Sequence, residues 1–570
     1  MRTVYSLISV RLSAARIRAA RLAAAVLLAS CCSPTTELLA QQAVEEPAPI
    51  AAGVAPPPGP YAPGFDALHY DVQIVLPDTG SFMQGSMSGA FRIVAPRHDT
   101  LSLDLTGLSV ARVRVGGAAA PFVYDAGKLQ LIVPSGLDTG DTLEIVVDYH
   151  GRPDDGLILG RNIHGSPTAF ADNWPNRARF WFPSIDHPSD KATVRFDVRV
   201  SPESGRQVIA NGSLEPSGEE SRTRWITTRP IPTYTMVVGA AEFDVETVGT
   251  ICLDGACTEV TTWLFPPDAE AGAPSFRRAA EMVEYYSTLI APFPYAKLAH
   301  VQSSTRFGGM ENVSAIFYPE QPISEGRDIE LTVAHETAHQ WFGDAVTESD
   351  WNHLWLSEGF ASYFAALFFE QVDGPAALRS IMDGYLESYL GSGASSQPIV
   401  AETQENLFDL LNANNYSKAA WVLHMLRNQL GDGTFFDGVG MYYRAHEHET
   451  VLTDDFRRAL ESASGTSLEG FFARWLYQPG HPRLAVAWSW QNGEASLVLR
   501  QTQPDDWPVF DFPVDILFET PSGPIREVVE VDARRVEVRL EVPERPTDLS
   551  IDPDGRVLME VVSIETGTLR

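Results

Sequence analysis

A chain of 570 residues is longer than one hydrophobic core supports, so several domains are expected. Hydrophobic residues make up 44%, ordinary for a globular protein with a sizeable core. The formal charge is −32, and the first 31 residues hold five Arg and no acid, leaving 37 basic against 74 acidic residues in the rest. So acidic a surface argues against nucleic acid or anionic membrane as a partner through general electrostatics.

In chain order, Arg2, Arg11, Arg16, Arg18 and Arg21 precede a short apolar run over residues 22–29. The run is too short to span a bilayer and reads as an export signal over residues 1–31. It ends in Leu28-Ala29-Ser30-Cys31, which resembles a bacterial lipobox with Cys31 as the lipidated residue. Ordinary cleavage nearby, for example after Ala40, is the alternative. The expected location is therefore the cell envelope or periplasm, held by a lipid on Cys31, or otherwise secretion. No later stretch is long and apolar enough for a transmembrane helix. Residues 32–65 carry Pro47, Pro49, Pro56, Pro57, Pro58, Pro60 and Pro63 and read as a stiff linker.

Alternating patterns from about 66 to 257 predict an all-β domain, with strands near 87–94, 101–105, 129–133, 143–149, 194–200 and 206–211. The segment from Asp172 to Pro183 is aromatic, basic and broken by proline, and reads as a packed loop. Cys252 and Cys257 bracket a tight turn between two strands, and outside the cytoplasm they are expected to form one local disulfide. From 258 to 482 the period becomes helical. Helices are predicted over 275–290, 327–342, 353–370 and 412–427, with a strand over 298–303. Alternation returns over 483–570 and predicts a small β-sandwich. The fold class is multidomain α+β.

The chemistry concentrates in residues 331–363. His335 and His339 are four apart and share one helix face, the spacing that lets two imidazoles meet one Zn²⁺. Glu336 borders that face and can act as a general base toward a water at the metal. Glu358, separated from His339 by eighteen residues, opens the next helical run and supplies a third ligand. Three protein ligands leave one coordination position open, the arrangement of a catalytic site. Upstream, Gly308-Gly309-Met310-Glu311-Asn312 combines paired glycines, which allow close backbone approach, with an acid able to hold a cationic group.

The HExxH pair with its distant Glu358 resembles the zinc signature of the M1 (gluzincin) aminopeptidase family, and Gly308–Asn312 resembles that family's exopeptidase motif. Tyr416 in Asn415-Tyr416-Ser417-Lys418-Ala419 resembles the family tyrosine upstream of a helix. The segments 208–212 and 475–480 extend the likeness across most of residues 66–480. The resemblance implies an N-terminal β saddle, a thermolysin-like catalytic domain and a C-terminal β-sandwich, in a short form without the family's C-terminal helical domain. It implies one zinc ion held by His335, His339 and Glu358, and hydrolysis of the first bond of peptides with a free N-terminus. Glu336 would be the base, Tyr416 the oxyanion donor and Glu311 the anchor for the substrate ammonium, with Gly308, Gly309, Met310 and Asn312 beside it.

Departures from the pattern are Asp344 and Ser357, where Asn is usual, and Ala419, where Gly is common. The β-domain position that often assists amine binding falls near Trp174; Asp172 and Asn173 are the neighbours available for that role. A catalytically silent binding protein of the same fold and an epoxide-hydrolase-like activity are the competing functions.

Overall fold

The computed structural model of the protein describes residues 63–567 apart from 96–98, 254, 402–403 and 405. The expected signal with Cys31, and the expected linker up to residue 62, lie outside the described residues; the last residue assigned to that linker, Phe65, opens a strand instead.

The N-terminal region is built from β-sheets, as its alternating sequence dictates. Phe65–Val75, with burial alternating along Phe65, Ala67, Tyr70, Val72 and Ile74, pairs antiparallel with Met83–Ile93 and parallel with Lys191–Arg199 in a large nine-stranded sheet. A four-stranded sheet containing Pro167–Ala171, Gln207–Ala210 and Val238–Ala241 lies beside it in the chain's order and leads into the buried loop that follows Ala171. The Asp172–Pro183 loop is buried almost throughout, including Arg177, which has no exposed surface.

The domain division expected at residue 257 falls inside a hairpin. Asp244–Leu253 pairs with Ala256–Leu264, which continues through parallel strands Lys297–Ser303 and Ala315–Pro319. Both arms of the hairpin therefore belong to the sheet of the catalytic region. A disulfide joins Cys252 to Cys257 at its tip. The sheet is an interface between two cores. Val260, Leu298 and Ile316 pack toward the helices, whereas Ala299, Val301 and Phe317 pack toward the β domain.

Three helices position the site. Helix α1, Glu330–His339, starts with an acid in its first turn, where the helix dipole favours it, and Arg278 holds that Glu330 with two contacts of 2.7 Å. Helix α2, Trp355–Asp373, is apolar nearly all round and runs through the centre of the core. Helix α3, Ala419–Leu430, is preceded by one turn of π-helix, Asn414–Lys418, so the continuous helix expected over 412–427 is a π turn followed by an α-helix. Further helices, Pro375–Ser392, Asp432–His446 and Thr453–Ser464, complete this region.

The C-terminal region has a four-stranded and a three-stranded sheet. Their inner residues, among them Leu484 and Phe518, share one continuous apolar core with the helices, and Phe510, just before the strand Phe512–Glu519, meets Trp475 at 4.7 Å between ring centres. Among the described residues no helix is long and apolar enough to cross a membrane.

Candidate active site

His335 and His339 sit one turn apart on α1, and Glu358 lies on the first turn of α2. Their tips converge. The two Nε2 atoms are 3.0 Å apart, and Glu358 Oε2 is 3.2 Å from that of His335 and 3.3 Å from that of His339. All three side chains are buried, and the trio can hold a metal ion. His339 Nδ1 faces the Phe342 carbonyl at 3.1 Å, and a carbonyl only accepts, so Nδ1 carries a hydrogen and Nε2 is the nitrogen that faces the cluster. Ser357, which stands where Asn was expected, brings its hydroxyl to the same Nδ1 at 3.0 Å. Gly343, at φ +114°, has no room for a side chain there: a Cβ would lie 2.3 Å from Ser357 Oγ.

Charge in the cluster is unbalanced. Burial disfavours a charge on His339, yet Glu358, Glu311 and Glu336 outweigh burial and raise His339 to about 10. Burial would raise Glu358, but His339 and the hydrogen bonds from both imidazoles bring it down to about 2. Burial and the neighbouring carboxylates push Glu336 well above its usual range, with His339 opposing them. Three carboxylates around two imidazoles favour a cation at the point where the ligand atoms meet.

Glu336 faces the same space. A Cβ on Gly309 would come within 2.1 Å of its Oε1, so only glycine lets the 308–312 loop lie against this acid. Its Oε2 is buried and has no hydrogen-bond partner among the described residues. The loop itself is held like an edge strand: Met310 and Phe317 exchange both backbone hydrogen bonds, at 2.8 and 3.0 Å. This brings Glu311, buried and raised to about 7 mainly by burial, close to His339 and Glu336. Gly308 is exposed, and Asn312 is buried with both ends of its amide unpartnered among the described residues.

Tyr416 comes from the π turn. Its ring stacks over His335, 6.0 Å between centres and 15° from parallel. Burial, then Glu358, Glu311 and Glu336, push its hydroxyl far above the usual range, so it keeps its proton and can donate. The approach depends on Gly359 of α2, where a Cβ would lie 2.5 Å from the Ala419 Cβ. Small residues on both sides let the two helices touch.

Asp172 and Asn173 are not free to assist a substrate amine. Asp172 faces Arg177 at 3.0 Å and Arg306 at 3.4 Å, and accepts from Thr305 at 3.1 Å. Asn173 donates to the Thr233 and Met236 carbonyls and accepts from Trp181. Trp174 is wedged edge-on against Phe307, Trp351 and Phe408. Each of those rings precedes a site residue in the chain: Glu311, Glu358 and Tyr416.

Two site contributors escaped sequence reasoning. Asn211 donates to the Val313 carbonyl at 2.6 Å and so ties the β domain to the 308–314 loop. Gln340, next to His339, reaches the same loop. Neither carries a periodicity or charge signal; both are single polar residues buried by contacts distant in sequence.

Comparison with known proteins follows the same division. The model of the peptidase M1 N-terminal domain matches residues 66–235, and that of the peptidase family M1 domain matches residues 275–475. The chain is 27% identical over 414 residues to the tricorn protease-interacting factor F2 of Thermoplasma acidophilum, covering 68% of this chain and 50% of that protein. It is 25% identical to a leucyl aminopeptidase of Saccharolobus solfataricus, covering 71% and 53%. It is also 30% identical to human glutamyl aminopeptidase, covering 55% and 34%. The chain thus spans about half the length of its archaeal relatives. A crystal structure of Legionella pneumophila aminopeptidase A in complex with aspartic acid shares the fold, with TM-score 0.75 over 89% of this chain and 60% of that one, at 17% identity. Two adjoining family models, together spanning more than half of the chain and every residue of the candidate site, show that this chain belongs to the M1 peptidase family.

Proposed function

We propose that the protein is a zinc-dependent aminopeptidase that removes the first residue from peptides with a free N-terminus. The observation that carries this reading is the convergence of His335, His339 and Glu358 within 3.0–3.3 Å beside a buried Glu336 oxygen that has no partner among the described residues. Two imidazoles, that of His339 with its outer nitrogen held by a carbonyl, and one carboxylate suit a single zinc ion. Bound there, zinc would supply a Lewis acid and a water acidic enough to react near neutral pH.

The chain's own groups do the rest. Glu336 takes a proton from the attacking water and hands it to the leaving amine. Its elevated proton affinity, set by burial, suits a group that must both accept and return a proton. The Tyr416 hydroxyl donates to the carbonyl oxygen as that oxygen gains charge. Glu311 accepts the substrate's α-ammonium. A fixed anchor this close to Glu336 limits cutting to one residue from the end. Every group the chemistry needs is present, which disfavours a silent binding protein; nothing in the site favours epoxide hydrolysis. The relatives include leucyl and glutamyl aminopeptidases, so membership alone leaves the preferred first residue open.

Metal analysis with activity on an aminoacyl anilide tests the proposal. One zinc per chain is expected, with turnover lost on chelation. Glu336→Gln is expected to retain zinc and lose turnover by about 10²–10⁴-fold. A protein that binds no zinc and cleaves nothing would contradict it. The chain is also proposed to be exported and held by a lipid on Cys31, on the strength of its basic leader and the small residues before that cysteine. Fatty-acid label that persists in Cys31→Ser would contradict the anchor.

A further inference from the structure

The side-chain amide of Gln340 occupies a junction between the metal-ligand helix and the loop that carries Glu311. Its Oε1 accepts from the Ser314 backbone N–H at 2.8 Å. Its Nε2 donates to the Glu311 carbonyl at 3.0 Å and to Asp344 Oδ2 at 2.7 Å. The three partners fix which end of the amide is oxygen and which is nitrogen. Gln340 has no exposed surface and follows His339 directly in the chain.

The loop it holds is one that needs holding. Ser314 sits at φ +60°, a left-handed conformation that is unfavourable for a non-glycine residue. From the other side the loop is gripped by Lys297, whose Nζ donates to the Ser314 carbonyl at 2.8 Å, and by Asn211 on the Val313 carbonyl. Those two grips bind the loop to the sheet and the β domain. Among the described residues' side-chain hydrogen bonds, only those of Gln340 tie residues 311–314 to the helix that carries His335 and His339. Asp344, its other partner, belongs to the turn after that helix, where the Asp344 N–H donates to the His339 carbonyl at 3.1 Å.

We infer that Gln340 is the positioning residue that sets the distance between the amine anchor Glu311 and the metal-ligand pair, and so sets where along a substrate the enzyme cuts. The inference rests on the amine-anchor role proposed above for Glu311. Gln340 touches no reacting atom; it acts through the Glu311 and Ser314 backbone. Its loss frees the anchor loop on the metal side while leaving His335, His339, Glu358 and Tyr416 on their own supports.

Two hydroxamate inhibitors separate this role from a merely structural one. One is an amino-acid hydroxamate, which engages both the metal and the amine anchor. The other is the same molecule without its amine. In zinc-loaded Gln340→Ala, the inhibition constant of the amino compound should rise at least about 10-fold, and that of the desamino compound should stay within about twofold. In parallel, Gln340→Glu combined with Asp344→Asn keeps the acceptor for Ser314 and restores the 340–344 contact, while the bond to the Glu311 carbonyl gives way to two facing acceptors. It should show a rise of the same kind, and it serves if the alanine variant does not fold. An amine preference that both variants preserve, or equal weakening of the two compounds, would overturn the inference alone. Equal affinity of the unaltered enzyme for both compounds would overturn the amine-anchor role and this inference with it.

Discussion

The Glu336 carboxylate lies between two constraints. One oxygen is pressed against Gly309, where a side chain would approach to 2.1 Å, and the other has no partner among the described residues. Its position is therefore set by the loop beside it as much as by its own helix. Gly309→Ala should displace the carboxylate, the end of a flexible side chain, before it moves the backbone. The expected result is a fall in kcat of about 10–100-fold with zinc content unchanged, since the three atoms nearest an added Cβ all belong to Glu336. Steady-state kinetics and metal analysis on one preparation check this; loss of zinc would show that the loop supports the ligands instead. Tyr416 makes a different demand. With its proton held by burial and nearby carboxylates, Tyr416→Phe should cost about 10²–10³-fold in kcat and little in KM.

At the scale of elements, spacing in the sequence identified what short-range geometry sets and missed what long-range burial sets. The HExxH pair falls on one helix face because residues four apart must, and the helices over 327–342 and 353–370 appear as α1 and α2. The hairpin 244–264 was divided between two domains because alternation marks strands without saying which sheet they join. The π turn at Asn414–Lys418 has the same apolar spacing as an α-helix to within a residue, so periodicity could not separate them. The Asp172–Pro183 segment reads as a packed loop, but its spacing does not name what it packs against. Arg177 is fully buried between Asp155 at 2.8 Å and Asp172 at 3.0 Å, under the rings of Phe307 and Phe408. Arg177→Met would leave two buried carboxylates with only Arg306 to share. The expected loss is about 3–5 kcal/mol of stability, read as a lowered denaturant midpoint, together with weaker substrate binding, because Arg306 and Phe307 lead into the 308–312 loop.

Across the whole molecule, two apolar cores meet at the sheet Lys297–Ser303 and Ala315–Pro319, and the loop 308–312 that follows the first of these strands carries Glu311 to the metal-ligand helix. His300, on that sheet, has no exposed surface, and burial lowers its imidazole to about 3; Nδ1 is 2.9 Å from the Tyr318 hydroxyl and Nε2 has no partner among the described residues. The unfolded chain takes up this proton near pH 6.5, whereas the folded state refuses it. Its contribution is therefore complete above pH 6.5 and is lost toward pH 3, at about 1.4 kcal/mol per pH unit. His300→Phe should accordingly show a melting temperature that falls less between pH 7 and pH 5 than that of the unaltered protein, by a few degrees; an equal fall would show that His300 already carries its proton when folded. The central claim is that the whole assembly serves one bond at the amino end of a peptide. The most direct test follows a ten-residue peptide and its N-acetylated twin by mass spectrometry with the zinc-loaded protein. The free peptide should shorten one residue at a time from its amino end while the acetylated twin stays intact. Internal fragments from either peptide, or equal shortening of both, would contradict it.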